Sequence, residues 1–392
     1  MTVWLRLPRP DGSLGRHDMC DPVAWPRPRD GLRGRVALAA AHVIPDPLAD
    51  NVPGGPPVLD WEANMAFRRH LWSYGLGVAE AMDTAQRSMG LDWATSRELI
   101  SRSAKEASLV GGRLAAGAGT DHLPDGPCPL EAVIAGYEEQ IAAVEEAGAQ
   151  VVIMASRHLA AAARHADDFR EVYLRLLTQA RRPVILHWLG PAFDPALAGY
   201  WGSTDPDHAA GTLLSIITDH ADAVDGIKLS LLDQDLELRL RAALPPGVRL
   251  YTGDDFNYAD LIKGEGAPVG GQRGSDALLG AFGPIAPAAS AALQALDRGD
   301  LAGYDTIIQP TVPLARHIFS SPTPYYKTGV AFMAWLTGHQ PGFSMVGGLH
   351  SGRSVPHLTA VFTLADRAGL LPDPELAAVR MQAFLQVAGV VG

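Results

Sequence analysis

The chain contains 392 residues, of which 47% are hydrophobic, and carries a formal net charge of −11 at pH 7. This length supports a large globular core, and the acidic balance argues against a polyanionic partner such as nucleic acid, which needs a concentrated basic face. No apolar run is long enough for a membrane span, and the polar, proline-rich N-terminus lacks the apolar centre of a signal peptide. Because Cys20 and Cys128 are too few for a disulfide framework, we expect a cytoplasmic protein with no membrane partner.

Eight short apolar segments typical of strands follow an N-terminal arm, residues 1–34, which we expect to be irregular because prolines interrupt it. The strand-like segments are 35–43, 77–84, 112–119, 149–156, 183–190, 226–231, 248–255 and 276–284. Helical periodicity separates them: Pro129 and Gly148 bracket one predicted helix, and Ser96 begins another. Eight alternations over roughly 250 residues predict a (β/α)8 TIM barrel at 35–287. An open doubly wound sheet is the alternative, but no GxGxxG motif follows the first strand.

After Pro287 the strand pattern gives way to helical periodicity. We therefore predict a C-terminal helical extension, residues 288–392, of three to five helices. Two loops rich in glycine and proline interrupt the barrel, at 45–57 and 264–275. The first is expected at the catalytic face, and the second as an insertion near the eighth strand.

Polar side chains gather at the carboxyl ends of the predicted strands, where barrel enzymes place their chemistry. Each alone is compatible with a loop cap or a hydrogen-bonded core group, but their convergence from different strands favours an active site. The set comprises His42, Asp83, Thr84, Thr120, Asp121, His122, Ser156, Arg157, His158, His187, Trp188, Lys228, Ser230, Gly253, Asp254 and Asp255.

One lysine interrupts a strand-like run. Lys228 lies in "DGIKLSLLD" and is one of four lysines in the chain. Either it extends to water at the strand's end, or burial lowers its pKa and makes it a nucleophile toward a carbonyl. The two-residue period of a strand directs Ile227 and Leu229 toward the surrounding helices and Lys228 into the barrel.

Several of these segments together resemble the dihydrodipicolinate synthase and N-acetylneuraminate lyase superfamily of class I aldolases. The resemblance rests on "PVILHWLG", "DGIKLS", "LYTGDD" and the tail "YYKTGVAFMAWLTG", and covers nearly all of residues 35–392. It implies that Lys228 forms a Schiff base with a keto substrate, that no other cofactor is needed, and that the protein is a homo-oligomer, a dimer or tetramer. The other lysines fit poorly: Lys105 on a charged helix face, Lys263 beside a glycine-rich loop and Lys327 in the helical tail.

The proton-relaying tyrosine that the family carries on its fourth strand is absent. The matching position holds His158, preceded by Arg157. Since imidazole titrates near neutrality, His158 is a candidate general acid or base, with His187 as a second, although packing alone would also explain it. Arg157 is a candidate to bind an acid group of the substrate.

A second departure concerns the family's Gly-Thr-Thr-Gly-Glu loop, which binds the carboxylate of a keto acid. Here the segment from Met82 to Gln86 reads "MDTAQ". Thr84 keeps one hydroxyl, but Asp83 brings a negative charge that would repel a carboxylate. We therefore expect a keto-sugar or keto-acid-type substrate other than simple pyruvate, with Asp83 accepting hydrogen bonds from its hydroxyls. A loop that merely closes is equally compatible with the segment.

The remaining candidates concern substrate contacts. Asp254 and Asp255 are predicted to orient substrate hydroxyls, Gly253 to let the backbone approach the ligand, and Trp188 to offer a flat apolar wall. A divalent metal held by His42, His158, His187 and a carboxylate is a weaker alternative, because no local motif such as HExxH is present.

The leading prediction is a carbon-carbon lyase of the class I aldolase type in carbohydrate metabolism, acting through Lys228 on a small carbonyl substrate. An imine-dependent dehydratase is the near alternative. A metal-dependent sugar isomerase or epimerase and a non-catalytic carbohydrate-binding barrel stay open, although a buried lysine would be of little use to a protein that only binds.

Overall fold

The computed structural model describes residues 3–9, 11–264 and 274–390. Ten strands occur in this part of the chain: β1 (Trp4–Pro8), β2 (Leu14–Asp18), β3 (Ala37–Ala40), β4 (Gly77–Glu80), β5 (Leu114–Ala118), β6 (Gln150–Ile153), β7 (Val184–Leu189), β8 (Val224–Ser230), β9 (Arg249–Thr252) and β10 (Asp276–Leu279). Strands β3 to β10 pair in parallel and in chain order, and β10 closes the barrel against β3. Each predicted strand segment overlaps one barrel strand, so the predicted (β/α)8 barrel is confirmed.

Fourteen α-helices lie within the described ranges: α1 (Trp61–Ser73), α2 (Trp93–Val110), α3 (Leu130–Glu146), α4 (Arg157–Ala162), α5 (Ala166–Gln179), α6 (Pro206–Asp219), α7 (Gln234–Ala243), α8 (Tyr258–Lys263), α9 (Ala286–Asp297), α10 (Leu301–Ile308), α11 (Val312–Ile318), α12 (Tyr326–Leu336), α13 (Val355–Arg367) and α14 (Pro374–Val387). Helix α9 follows the eighth barrel strand directly and spans the boundary predicted at residue 287. It therefore completes the barrel alternation, and five helices, α10 to α14, form the extension beyond it.

The core has two layers on either side of the barrel wall. Inside the barrel, every second strand residue points inward, and these residues form a small apolar cluster. The first three barrel strands contribute alanines to it, and the larger side chains of Met82, Met154 and Tyr251 occupy the space that the alanines leave. Outside, a much larger cluster joins the opposite faces of the strands to the helices. This alternation decides which side chains reach the interior of the barrel and which are used for helix packing.

Two local predictions are wrong. The N-terminal arm is irregular only over residues 19–34, because β1 and β2 before it pair antiparallel, and this hairpin packs on α13 and α14. Helix α2 begins at Trp93 rather than at Ser96, because Asp92 accepts a hydrogen bond from the Thr95 backbone N–H at 2.8 Å and so caps the helix one turn earlier. Ser96 instead donates its hydroxyl to the Asp92 carbonyl at 2.7 Å.

Other expectations concern loops and membranes. The loop at 45–57 follows β3 and so lies at the carboxyl end of the barrel, as predicted. Residues 265–273, most of the second glycine-rich segment, lie outside the described residues. Across the part of the chain that the structure describes, no helix combines the length and apolarity that a membrane crossing requires. Cys20 and Cys128 are both free of disulfide bonds.

Candidate active site

A cavity of about 170 Å³, here called the mouth cavity, opens at the carboxyl end of the barrel. Its wall is built by the loops after β4, β5, β6 and β7 together with the first residues of α4 and α12. The polar side chains on this wall are Asp83, Arg87, Ser88, Thr120, Asp121, Asp125, Ser156, Arg157, His158, Asp194, Tyr326 and Lys327. Six of the strand-end candidates are therefore on the wall, whereas Lys228 and His187 are not. The six are Asp83, Thr120, Asp121, Ser156, Arg157 and His158.

Lys228 points into the barrel, as the strand period predicts. Its neighbours Ile227 and Leu229 belong to the cluster that faces the helices, while Lys228 is only 7% exposed. Within the described residues its ammonium makes no hydrogen bond and has no carboxylate within 4 Å. Burial lowers its pKa, and the charges of Asp83 and Asp255 partly oppose that effect. Of the two interpretations offered for Lys228, burial therefore describes its surroundings, and extension to water does not.

His187 and Asp83 face one another beside this lysine. His187 lies next to Lys228 in the register of β7 and β8, and its Nε2 is 3.3 Å from the Ser230 hydroxyl. Its Nδ1 is 3.9 Å from Oδ2 of Asp83, and both atoms are buried without a hydrogen-bond partner among the described residues. Burial and the charge of Lys228 hold the pKa of His187 well below its ordinary value, so the ring is neutral. Asp83 thus lies on the wall of the mouth cavity and is also close enough to Lys228 for its charge to act on the lysine.

The loop that carries Asp83 is held in a costly conformation. Ala81, Gln86 and Ser88 have φ angles of 49°, 66° and 58°, in the left-handed region that favours glycine. Each such residue costs on the order of 1–3 kcal/mol and persists only where surrounding contacts fix it. One of these contacts is the Gln86 amide, which donates to the Val346 carbonyl at 2.8 Å. The conformation of this loop is consistent with a functional placement of Asp83.

The two aspartates of the "GDD" turn have different surroundings. Asp254 caps its own loop: its carboxylate accepts hydrogen bonds from the backbone of Phe256 at 2.8 Å and from the Asn257 side chain at 2.8 Å. The prediction that it orients substrate is therefore corrected. Asp255 faces inward and accepts from the Ala281 N–H at 2.8 Å. Burial raises the pKa of Asp255 to about 8, although the neighbouring Lys228 opposes the shift.

Gly253 is required by close packing between the sixth and seventh barrel strands. A Cβ at this position would lie 2.2 Å from the Ser230 hydroxyl and 3.0 Å from Cε of Lys228. Its backbone N–H donates to the Leu229 carbonyl at 2.8 Å. A side chain at Gly253 would therefore displace Ser230 or Lys228, whereas its predicted approach to a ligand stays a prediction.

The start of α12 supplies two residues that sequence reasoning did not assign to the site. The Tyr326 hydroxyl is 2.9 Å from the Thr84 hydroxyl, so Thr84 binds the protein rather than facing open space. Lys327, only 5% exposed, lies on the wall of the mouth cavity, and its ammonium donates to the Pro324 carbonyl at 3.2 Å. Burial lowers the pKa of Lys327 to about 8, with Asp83 opposing. Lys327 does lie in the helical tail, on α12, but the packing of α12 brings it to the wall of the mouth cavity.

His158 and Arg157 lie in the first turn of α4, on the wall of the mouth cavity. Nδ1 of His158 is 3.0 Å from the Thr120 hydroxyl, and its Nε2 is 3.2 Å from the Pro124 carbonyl. Arg157 is half-exposed and donates to Asp194 at 2.5 Å. Neither residue is among the groups that perturb Lys228, so the structure does not join the predicted proton carrier His158 to the lysine.

The prediction that Trp188 forms a flat apolar wall of the site is wrong. Trp188 faces the helices, where it is 5% exposed and packs 6.4 Å from the ring of Trp201, so it offers no wall to the mouth cavity. Strand alternation explains this, because its neighbour His187 takes the inward position.

His42 lines a separate cavity beside α1, away from His158 and His187. The three imidazoles of the alternative metal site therefore do not converge, and the described residues contain no group of three or more His, Cys, Asp or Glu side chains placed to share an ion.

The architecture is that of solved dihydrodipicolinate synthases. The structure from Aquifex aeolicus matches with a TM-score of 0.64 at 13% identity, over 86% of this chain and 99% of that one. The 4-hydroxy-tetrahydrodipicolinate synthase of Methylacidiphilum fumariolicum SolV gives 0.63 at 14% identity, over 87% and 98%. The enzyme from Acinetobacter baumannii, solved in complex with pyruvate, gives 0.59 at 15% identity, over 86% and 100%. The predicted resemblance is thus confirmed at the level of the fold.

Sequence comparison adds a family but no activity. No curated protein matches the sequence. The profile of one family, described as a protein of unknown function (DUF993), matches residues 5–390, which is nearly the whole chain. The chain therefore belongs to the DUF993 family, whose function is not known.

Proposed function

We propose that the protein is a class I lyase that forms an imine between Lys228 and a ketone substrate and then breaks or forms a carbon-carbon bond. The observation that carries the proposal is the state of Lys228: buried at the end of a barrel strand, without a hydrogen bond to any described residue, and with its pKa lowered. A buried ammonium without a partner is costly, and that cost is understandable if the free amine is the reactive form.

The chemical steps follow from the groups beside the amine. The neutral Lys228 nitrogen attacks the carbonyl carbon, one proton is taken up from solvent, and the carbonyl oxygen leaves as water, which gives a protonated imine. A base then removes the proton of the hydroxyl two carbons from the imine carbon. The carbon-carbon bond breaks, its electron pair forms the enamine, and one product leaves as a carbonyl compound. Protonation of the enamine and hydrolysis of the imine release the second product and restore the amine.

His187 is the better candidate for the proton transfers. It is neutral because its pKa is lowered, it adjoins Lys228 across β7 and β8, and its Nδ1 has no hydrogen-bond partner among the described residues. The free Oδ2 of Asp83, 3.9 Å away, is able to hold the cation that forms when the ring takes up a proton. His158 has both ring nitrogens engaged by Thr120 and Pro124, so we assign it to the cavity wall.

The charges on the mouth cavity favour a keto-sugar or a keto acid larger than pyruvate. A carboxylate directly beside the reacting carbonyl would meet Asp83, whereas hydroxyl groups there would donate to it. Lys327 lies on the same wall, and the exposed Arg157 is held by Asp194. A matching substrate would have hydroxyls near its carbonyl, where they meet Asp83, and an acid group farther along its chain, where it meets the cations Lys327 or Arg157.

Borohydride reduction of the imine tests the proposal and surveys substrates together. The protein is incubated with pyruvate, hydroxyacetone or a 5-keto sugar acid, whose carboxylate lies far from its ketone, then reduced with borohydride and weighed by intact mass spectrometry. We expect a one-ligand mass increase for a hydroxylated ketone, its loss in a folded Lys228→Ala variant, and its retention in a Lys105→Ala control at an exposed lysine. If none of the three ketones is fixed, or if the Lys228→Ala variant is labelled as fully as the unmodified protein, the proposal is wrong.

A further inference from the structure

Asp255 lies across the strand of Lys228 from His187. In the strand register Lys228 on β8 is paired with His187 of β7 on one side and with Tyr251 of β9 on the other. Asp255 follows β9 and is close enough for its charge to act on Lys228. Gly253 precedes it, and a Cβ at Gly253 would lie 3.0 Å from Cε of Lys228. Because this Cβ is missing, no side chain at position 253 separates Asp255 from the lysine.

The carboxyl of Asp255 is fixed at one oxygen and free at the other. Its Oδ1 accepts a hydrogen bond from the Ala281 backbone N–H at 2.8 Å. Its Oδ2 makes no hydrogen bond with a described residue, and it keeps surface that a water-sized atom can reach. The nitrogen of Lys228, more than 4 Å away, shares both properties. The carbonyl carbon and oxygen of a substrate can therefore lie between the amine and this carboxyl.

Imine formation needs an acid beside the amine. When the Lys228 nitrogen adds to a ketone, the former carbonyl oxygen becomes the hydroxyl of a carbinolamine, and it leaves readily only as water. His187 is uncharged because burial and Lys228 lower its pKa, so it can accept a proton but is a poor donor. Burial raises the pKa of Asp255 to about 8, which keeps this carboxyl protonated at neutral pH. Two groups beside one amine with pKa values shifted in opposite directions are typical of a catalytic base and a catalytic acid.

We propose that Asp255 is a further catalytic residue, the acid that protonates the carbinolamine hydroxyl formed at Lys228. The proton passes from the carboxyl to this hydroxyl, the carbon-oxygen bond breaks, and water leaves. The nitrogen lone pair forms the protonated imine, whose positive charge the new Asp255 carboxylate offsets. When the imine is hydrolysed, the carboxylate takes a proton back from the attacking water. This inference rests on the proposed function, because it names the immediate donor of the proton that imine formation consumes.

Timed borohydride quenching of the full chain tests this role, with hydroxyacetone as the probe. The protein is mixed with hydroxyacetone and quenched after increasing intervals, and the adduct on Lys228 is quantified by mass spectrometry. Asp255→Asn keeps an oxygen for the Ala281 N–H but has no acidic proton, so we expect the adduct to form about 10²-fold to 10⁴-fold more slowly. Glu237→Gln is the matched control and should leave the rate unchanged, because Glu237 is also buried with its pKa raised to about 8 but lies on the outer helix α7.

Acetylation of Lys228 by acetic anhydride separates an effect on the acid from an effect on the amine. This reaction needs the free amine but no loss of water, so its rate in Asp255→Asn should stay close to that of the unmodified protein. The melting temperature should also change little, because the amide replaces an uncharged carboxyl. Asp255→Ser, which lacks the acid as well, is a second variant that should form the adduct as slowly.

The results distinguish a failure of this inference from a failure of the proposed function. If Asp255 only stabilised the ammonium of Lys228, its removal would leave more free amine, and the adduct would form faster. A faster or unchanged rate in Asp255→Asn, with the adduct on Lys228, would overturn the role of Asp255 and leave the imine mechanism in place. Absence of an adduct in the unmodified protein would overturn both.

Discussion

The charge of Asp83 is the residue-scale feature that most constrains the substrate. Its Oδ2 is buried without a partner and faces the same space as His187. We expect Asp83→Thr to strengthen pyruvate binding by about tenfold or more, because it removes a repulsion worth upwards of 1 kcal/mol at short range. Calorimetric titration of pyruvate measures the change, and Asp125→Asn, which neutralises an exposed carboxylate at the rim, is the matched control. Tight pyruvate binding by the unmodified protein would contradict this interpretation.

The two histidines make a second residue-scale test. If His187 moves protons, His187→Gln should slow the exchange of a bound ketone's α-hydrogens for deuterium by about 10²-fold to 10⁴-fold. His158→Ala should slow it by no more than about tenfold, since both of its ring nitrogens are already engaged. NMR of the ketone in D₂O follows the exchange without knowledge of the native substrate. The opposite ranking of the two variants would return the proton transfer to His158.

Sequence reasoning identified Lys228, His187 and Asp83 because each follows from a local rule. Strand alternation fixes which residues enter the barrel, and a charged residue in an apolar run is visible in the sequence alone. Because His187 points into the barrel, the same alternation turns the next residue, Trp188, outward to the helices, so this position was also predictable. Lys327 also interrupts an apolar run, so the signal was present, but its position at the barrel mouth depends on how α12 packs, which no local pattern encodes.

At the scale of elements, α12 is the part of the extension that completes the site. The Tyr326 hydroxyl binds Thr84 on the Asp83 loop at 2.9 Å, and the Tyr326 ring stacks on Phe319 with centroids 4.3 Å apart. We expect Tyr326→Phe to lower the free energy of unfolding by about 1 kcal/mol, the usual net value of one buried hydrogen bond. Urea denaturation measures the loss.

The neighbouring tyrosine gives a matched control for this prediction. The Tyr325 hydroxyl makes no hydrogen bond with a described residue, so Tyr325→Phe should leave the urea midpoint nearly unchanged. Equal effects of the two substitutions would mean that the Thr84 contact does not tie α12 to the loop.

At the scale of the whole molecule, a buried carboxyl makes stability depend on pH. Glu237 on α7 accepts hydrogen bonds from Thr252 at 2.9 Å and from Ser275 at 2.7 Å, which ties the helix to the last strands of the barrel. Burial raises the pKa of Glu237 to about 8 from 4.5. Between pH 4.5 and about 8, Glu237 is therefore protonated in the folded state but ionised in the unfolded chain. The free energy of unfolding consequently falls as the pH rises from about 5 to about 8.

The variant Glu237→Gln should remove this dependence. Relative to the variant, the unmodified protein should lose up to about 1.4 kcal/mol of unfolding free energy per pH unit between pH 5.5 and 7.5, and no more above pH 8.5. Urea midpoints at several pH values measure the difference, with Glu171→Gln at an exposed position as the control. A constant difference between protein and variant across this range would show that the pKa of Glu237 is not raised.

The whole architecture was predictable because eight strand signals with helical segments between them leave few closed arrangements. The β1 and β2 hairpin was not predictable, since its pairing and its packing on α13 and α14 depend on contacts far apart in the chain. The place of His42 was likewise not predictable from the sequence. His42 follows a barrel strand, but its ring packs against Phe67 of α1 rather than joining the groups at the mouth.

The most direct test of the central claim is peptide mapping of the adduct that borohydride fixes with a hydroxylated ketone. Two lysines are buried near Asp83 with lowered pKa values, Lys228 inside the barrel and Lys327 on the cavity wall. The account predicts that the reduced ligand is found on the peptide that contains Lys228, and that a Lys327→Gln variant is still labelled there. An adduct on Lys327, or on any lysine other than Lys228, would contradict it.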